Sequence, residues 1–215
     1  MATIQISSKK LLLVEGQDEV SVFNKILRFL SIEDVQVMET GGIDNFKKRF
    51  PVICKSPDFQ SLTAYGIIQD SDADPNAALN RIKHILKKTD QPVPDSVGIS
   101  KEVNGLKVGF YLLPGGGRPG MLEDLFLETI KGQEILDCVN DYILNLKEKC
   151  PPTSKKGRFG LCCNQAKAKV LGALVATAEP YNRIGLAAQG GYWDFNHPAM
   201  EDVMTFLKEL YIKDG

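Results

Sequence analysis

The 215-residue chain has almost no net charge, −1 at neutral pH, so it carries no global basic field of the kind that advertises a nucleic-acid binder. Local basic patches can still meet phosphate. It has only two histidines, His84 and His197, neither with a nucleophile beside it in the sequence pattern, which leaves no Ser-His-Asp or Cys-His site to propose. Its five cysteines, at positions 54, 138, 150, 162 and 163, form no CxxC pair and match no zinc spacing. Their odd number and wide scatter suit reduced thiols in a cytosol. No apolar run approaches a membrane span, and residues 1–10 lack the layout of a signal peptide, so a cytoplasmic protein with no membrane partner is expected. Repeats and low-complexity tracts are also absent. The glycine loop PGGGRPG lacks the GKS/T ending of a phosphate-binding Walker loop.

What is present is organised around residues 10–74. KLLLVEGQDE is an apolar run that ends abruptly in Glu15 and Gly16, and YGIIQDSDAD is a second that ends in Asp70, Asp72 and Asp74. Each reads as a buried strand delivering acids at its C-terminal end, where open α/β sheets bind their ligands. Placed side by side, the two strands gather carboxylates that repel one another unless a cation neutralises them. Hard divalent ions prefer such oxygen ligands. If the backbone stays extended, the three aspartates project to one side. Asp74 also reads as the cap of the helix after Pro75. DxDxD opens like a calcium loop, but Pro75 and Arg81 stand where that loop needs glycine and glutamate.

The periodicity gives a helix over residues 18–30, a strand over 35–39, a short helix over 43–50 stopped by Pro51, a strand over 64–69 and a helix over 76–88. This βα–βα–βα rhythm predicts parallel, right-handed crossovers. Residues 97–103 and 106–112 flank Asn104-Gly105, a two-residue hairpin signal. Residues 121–130, 133–149, 164–177 and 198–211 read as helices, with a long aromatic-bearing loop over 178–197. The expected architecture is a mostly parallel α/β sheet domain over residues 1–130 with a helical extension, residues 131–215, packed on it. Trp193, Tyr192 and Phe195 read as packing groups before base-stacking ones.

VEG (Val14-Glu15-Gly16) with DSD (Asp70-Ser71-Asp72), and the glycine turn Gly41-Gly42 after the second strand, resembles the Toprim domain over roughly residues 8–114. Glu15 and Glu19, spaced as ExxxE, together with LEDL at 122–125, a late lysine helix and the YWDF segment, are similar to small stand-alone Toprim proteins of the OLD (overcoming lysogenization defect) type. The resemblance implies a Toprim/Rossmann-like fold and a Mg²⁺ or Mn²⁺ centre built from Glu15, Asp70 and Asp72, joined by Glu19, with Asp74 and Glu123 as further candidates. It implies that a lysine, Lys167 before Lys169, faces the developing charge of phosphodiester hydrolysis. Arg118 and the run Lys155, Lys156 and Arg158 are the candidate nucleic-acid contacts. Because the chain has no ATPase motif, an ATPase partner in trans is a further expectation. A non-catalytic binding module for nucleic acid, nucleotide or protein is the alternative, and the VEG strand argues against an aspartyl phosphohydrolase.

Overall fold

The computed structural model describes residues 5–149, 165–177 and 179–212. Five strands form one sheet in the order β2-β1-β3-β5-β4. They are β1 (Lys10–Val14), β2 (Val35–Glu39), β3 (Ala64–Asp70), β4 (Ser100–Val103) and β5 (Leu106–Leu113). β1, β2, β3 and β5 run parallel, and β4 pairs antiparallel with β5 at the edge. Asn104 and Gly105, both at positive φ (53° and 80°), turn the β4–β5 hairpin as expected of that dipeptide.

The helices, numbered as the chain meets them, are α1 (Gln17–Phe29), α2 (Gly42–Ile53), α3 (Pro57–Gln60), α4 (Pro75–Lys88), α5 (Leu122–Thr129), α6 (Glu134–Lys149), α7 (Ala166–Val175), α8 (Ile184–Gln189) and α9 (Glu201–Tyr211), the last preceded by a single 3₁₀ turn. The helices bury the faces on which their apolar residues recur at helical spacing, as Val22, Phe23, Ile26 and Leu27 do on α1; α6, α7 and α8 pack on other helices rather than on the strands. The central strands β1 and β3 are buried on both faces, so they read as continuous apolar runs rather than alternating ones. Leu12, Val14, Ile68 and Leu113 point into a core shared with α1, α5, α7, α8 and α9. Leu11, Leu13, Tyr65, Ile67, Phe110 and Leu112 point into a second core under α2, α3 and α4.

Two glycines explain how closely α9 lies on the sheet. Gly66 and Gly109 are paired neighbours on β3 and β5. A Cβ on Gly66 would lie 2.8 Å from Leu210, and one on Gly109 would lie 2.7 Å from Phe206. At the far end of the same helix the buried Tyr211 hydroxyl donates to the Leu11 carbonyl of β1 at 2.7 Å.

The chain departs from its local sequence signals at three places. The second helix does not stop at Pro51 but runs on to Ile53, with Phe50 and Ile53 anchored in the core and Cys54 N–H bonding the Phe50 carbonyl at 2.9 Å. The 178–197 region contains α8, whose Gly185 backs against Ser21 of α1. The DSD segment does not stay extended: Asp72 takes a left-handed conformation, φ 52°. Among the described residues no helix is long and apolar enough to cross a membrane.

Candidate metal centre

The topology fixes the place. From β1 the chain crosses by α1 to β2 on one side, and from β3 it crosses by α4 to β5 on the other. α1 and α4 lie on opposite faces. β1 and β3 are therefore the adjacent strands at which the winding reverses, and the crevice beyond their carboxyl ends is the ligand position of such a sheet. Glu15 is the first residue after β1, and Asp70 is the last of β3.

The two acids are tied together through backbone. The Asp70 N–H donates to Glu15 Oε1 at 3.2 Å. The Glu15 carbonyl accepts from Gly41 at 2.8 Å and Gly42 at 3.3 Å, and Gly41 turns at φ 83° to start α2 there. The Asp70 carboxylate accepts from the Leu122 N–H at 3.1 Å, which ties the start of α5 to the end of β3. Glu123 follows at once and is buried, 8% exposed, despite its charge. Lys167 of α7 lies 3.7 Å from the Glu123 carboxylate. Glu19, one turn into α1, is half-buried, and its carboxylate lies above Gly16, where an added Cβ would come within 3.1 Å of it.

The electrostatics follow. Burial, then the neighbouring charges of Glu15, Glu19 and Glu123, push the Asp70 carboxyl from 3.8 up to about 9, against the pull of the Leu122 N–H. Glu15 is raised chiefly by burial, with Glu19 and Asp72 adding repulsion and the Asp70 N–H opposing. Glu19 is also raised chiefly by burial, with Glu123 and Asp18 adding to it and Lys167 relieving part of it. Carboxylates are thus crowded at one place, and Lys167 and Arg81 at its edges relieve only part of the repulsion.

Asp72 stands at the rim. Its backbone forms a two-way bridge with Gly120, at 2.9 and 2.7 Å, which pins the glycine loop to the site. Its exposed carboxylate lies 3.8 Å from Arg81 of α4. Asp74 does not share a side with Asp70; the turn at Asp72 carries it away, and its carboxylate accepts from Ala77 N–H at 3.0 Å as the cap of α4. Arg118 lies 3.6 Å from Glu128, turned toward α5. Lys169 lines a separate recess with Asp72, Gly120 and Asp124. Lys155, Lys156 and Arg158 lie outside the described residues. Trp193 is buried on Phe126 at 4.5 Å between ring centres, and Phe195 packs on Phe29 at 5.6 Å.

All the gathered donors are carboxylate oxygens, and the raised proton affinity of Glu15, Glu19 and Asp70 is what a hard cation would relieve, so the residues fit Mg²⁺ or Mn²⁺ in kind. Among the described residues no three His, Cys, Asp or Glu side chains are drawn in to hold an ion as they stand. The sequence pattern did not single out Arg81 as the partner of Asp72; its signal was the polar row Arg81, His84 and Lys88, spaced i, i+3, i+7 on α4.

A family model described as "Protein of unknown function (DUF3226)" matches residues 9–212, nearly the whole described chain. The chain belongs to the DUF3226 family. No curated protein matches it. Among solved structures, this DUF3226 chain is similar to the C-terminal region of the Xanthomonas campestris pv. campestris OLD protein, at 13% identity and TM-score 0.50, covering 95% of this chain and 97% of that one. It is similar to the C-terminal region of the Burkholderia pseudomallei OLD protein at 15% identity and TM-score 0.50, covering 95% and 98%. At these identities the likeness is one of fold, a five-strand, mostly parallel sheet flanked by helices, and it spans both the sheet and the C-terminal helices.

Proposed function

We propose that this DUF3226 protein is a Toprim-type, OLD-like, metal-dependent nuclease whose centre is the acid cluster beyond β1 and β3. The observation that carries the reading is the placement of Glu15 and Asp70, joined by a 3.2 Å hydrogen bond, at the switch point of the sheet, with Glu19 and Glu123 crowding Asp70. Glu15, Asp70, Glu19, Asp72 and Glu123 would hold Mg²⁺ or Mn²⁺. What a bound pair of such ions supplies is Lewis-acid stabilisation of the attacking and leaving oxygens of a phosphodiester. The chain's own residues do the rest. Asp70, whose carboxyl is pushed up by burial and by its neighbours, would have to be deprotonated to hold such an ion. The Glu15–Asp70 link fixes the spacing of the two strand ends. Lys167, beside Glu123, offers a positive group to a phosphoryl oxygen. Asp74 is left to its capping bond and out of the ligand set.

A second reading, a non-catalytic Toprim-type binding module, is favoured by one observation: the carboxylates are not drawn in to ligating positions among the described residues. Cleavage of plasmid and single-stranded DNA in Mg²⁺ or Mn²⁺ separates the two. The nuclease reading expects metal-dependent cleavage that falls at least about 100-fold in both Glu15→Ala and Asp70→Ala, with far-UV circular dichroism unchanged. A folded, metal-binding wild type that cuts neither substrate, alone or with an added ATPase partner, leaves the binding module.

A further inference from the structure

At the rim of the acid cluster the Asp72 carboxylate reaches Arg81 of α4, and on that side of the sheet a cleft opens between α2 and α4. A cavity of about 610 Å³ begins at Asp72 and Arg81, floored by Ile43, Ala77 and Ile85. It continues into a second cavity of about 460 Å³ that shares Asp44, Lys47, His84 and Ile85 and runs on to Lys48 and Lys88. Four exposed cations line this path, Arg81 and Lys88 from α4 and Lys47 and Lys48 from α2, against the two carboxylates Asp44 and Asp72. In a chain of net charge −1 this is a local reversal of sign, placed next to the most acidic part of the molecule. At the top of β3, Gln69 pairs with Leu112 and so faces this same side, and its amide nitrogen is buried without a hydrogen-bond partner.

From these observations we infer that the α2–α4 cleft takes the backbone of a single nucleic-acid strand and leads it to Asp72. The inference rests on the nuclease reading for what happens at the end of the path, but not for the binding itself. Cavities of a few hundred Å³ hold one or two nucleotides each and do not admit a duplex. From Ala77 to Lys88 helix α4 rises about 16 Å, enough for roughly three to five phosphates of a strand. The cations sit on the rims, where phosphates remain solvated, and the isoleucine and alanine floor suits the faces of bases. Arg81 is already held 3.8 Å from Asp72, so the first phosphate in the cleft lies one side chain away from the acid cluster.

The test is fluorescence anisotropy with a labelled twelve-nucleotide oligothymidine in EDTA, where no metal contributes. Wild type should bind. Lys47→Gln/Lys48→Gln/Lys88→Gln should bind at least about tenfold more weakly at 50 mM salt, with a log–log salt slope shallower by about two, as loss of three single-strand phosphate contacts requires. The same three-lysine exchange at Lys101, Lys131 and Lys208, exposed positions outside the cleft, should leave affinity unchanged. Wild-type affinity in the cleft triple variant overturns the inference. So does equal competition by thymidine monophosphate, which would make the cleft a mononucleotide pocket. Asp70→Asn should keep full affinity in EDTA while losing any cleavage. Failure of the nuclease reading therefore shows as lost or absent cutting with binding intact, and failure of the cleft as lost dependence on its lysines.

Discussion

The two faces of the sheet use the same strands for opposite purposes. Toward α1, α5 and α7 the end of β3 presents Asp70 to Glu19 of α1 and the buried Glu123 of α5, and their charges raise the proton affinity of Asp70. Toward α2 and α4 lies an aromatic core of Phe46, Phe50, Phe59 and Tyr65, with lysines and an arginine along its rim. The alternation of a β-strand makes this separation possible: Asp70 and Gln69 are neighbours in sequence and face different cores. One face crowds carboxylates that raise the proton affinity of Asp70, and the other is packed for stability and charged only where water reaches it.

The largest expected effect separates the faces by stability. Phe50, fully buried among Phe46, Phe59 and Tyr65, should cost about 3–5 kcal/mol when changed to Ala, read by urea unfolding. Mn²⁺ affinity measured below the unfolding transition should stay at the wild-type value, because no acid of the cluster touches that core. A parallel loss of metal affinity would mean that the two faces act as one unit.

Next comes the carboxylate crowding. The Asp70 carboxyl titrates near 3.8 when unfolded and at about 9 when folded, so between those values the folded state holds the extra proton. Stability in EDTA should therefore be greatest below about pH 4 on this account and fall as pH rises toward 9. Asp70→Asn should remove that slope and be more stable than wild type at pH 9 by about 2 kcal/mol or more. Calorimetric titration of Mg²⁺ near pH 7 should show proton release in wild type and less in Asp70→Asn. A flat stability profile in wild type would show that the acids are not crowded.

Smaller effects test individual assignments. Asp74→Ala should lose about 1 kcal/mol, the usual worth of a helix cap, and leave any metal-dependent cleavage within about twofold. Arg118→Ala should change stability by less than about 0.5 kcal/mol, since its pair with Glu128 lies where water reaches both side chains, 51% and 36% exposed.

Much of this was legible in the chain. β1, β3 and α4 appear where apolar runs and caps place them, and the hairpin where Asn104-Gly105 places it, because those signals are local and strong. Glu15 and Asp70 were legible as strand-end acids, but the adjacency of their strands was not, because a βαβαβ run also allows β2 to lie between them; the observed order β2-β1-β3 supplies it. What was not legible depends on partners far away in sequence. α2 survives Pro51 because Phe50 and Ile53 hold its last turn in the core. α8 forms because Gly185 allows it to lie on α1, a contact between residues more than 160 positions apart. The α2–α4 cleft is invisible in sequence because Lys47 and Lys88 belong to separate, ordinary-looking amphipathic helices, and only the winding of the sheet lays them side by side.

The hydrogen bond from Tyr211 to Leu11 has a consequence in time. On a ribosome, β1 to β5 can pair once residue 113 has emerged, and the Glu15–Asp70 link needs only those strands. The stripe over Gly66 and Gly109, however, stays bare until Phe206 and Leu210 arrive. At ordinary synthesis rates that interval is about 5–20 s. During it the nascent chain exposes an apolar, glycine-floored strip beside the Glu15–Asp70 link, and only the arrival of α9 buries it.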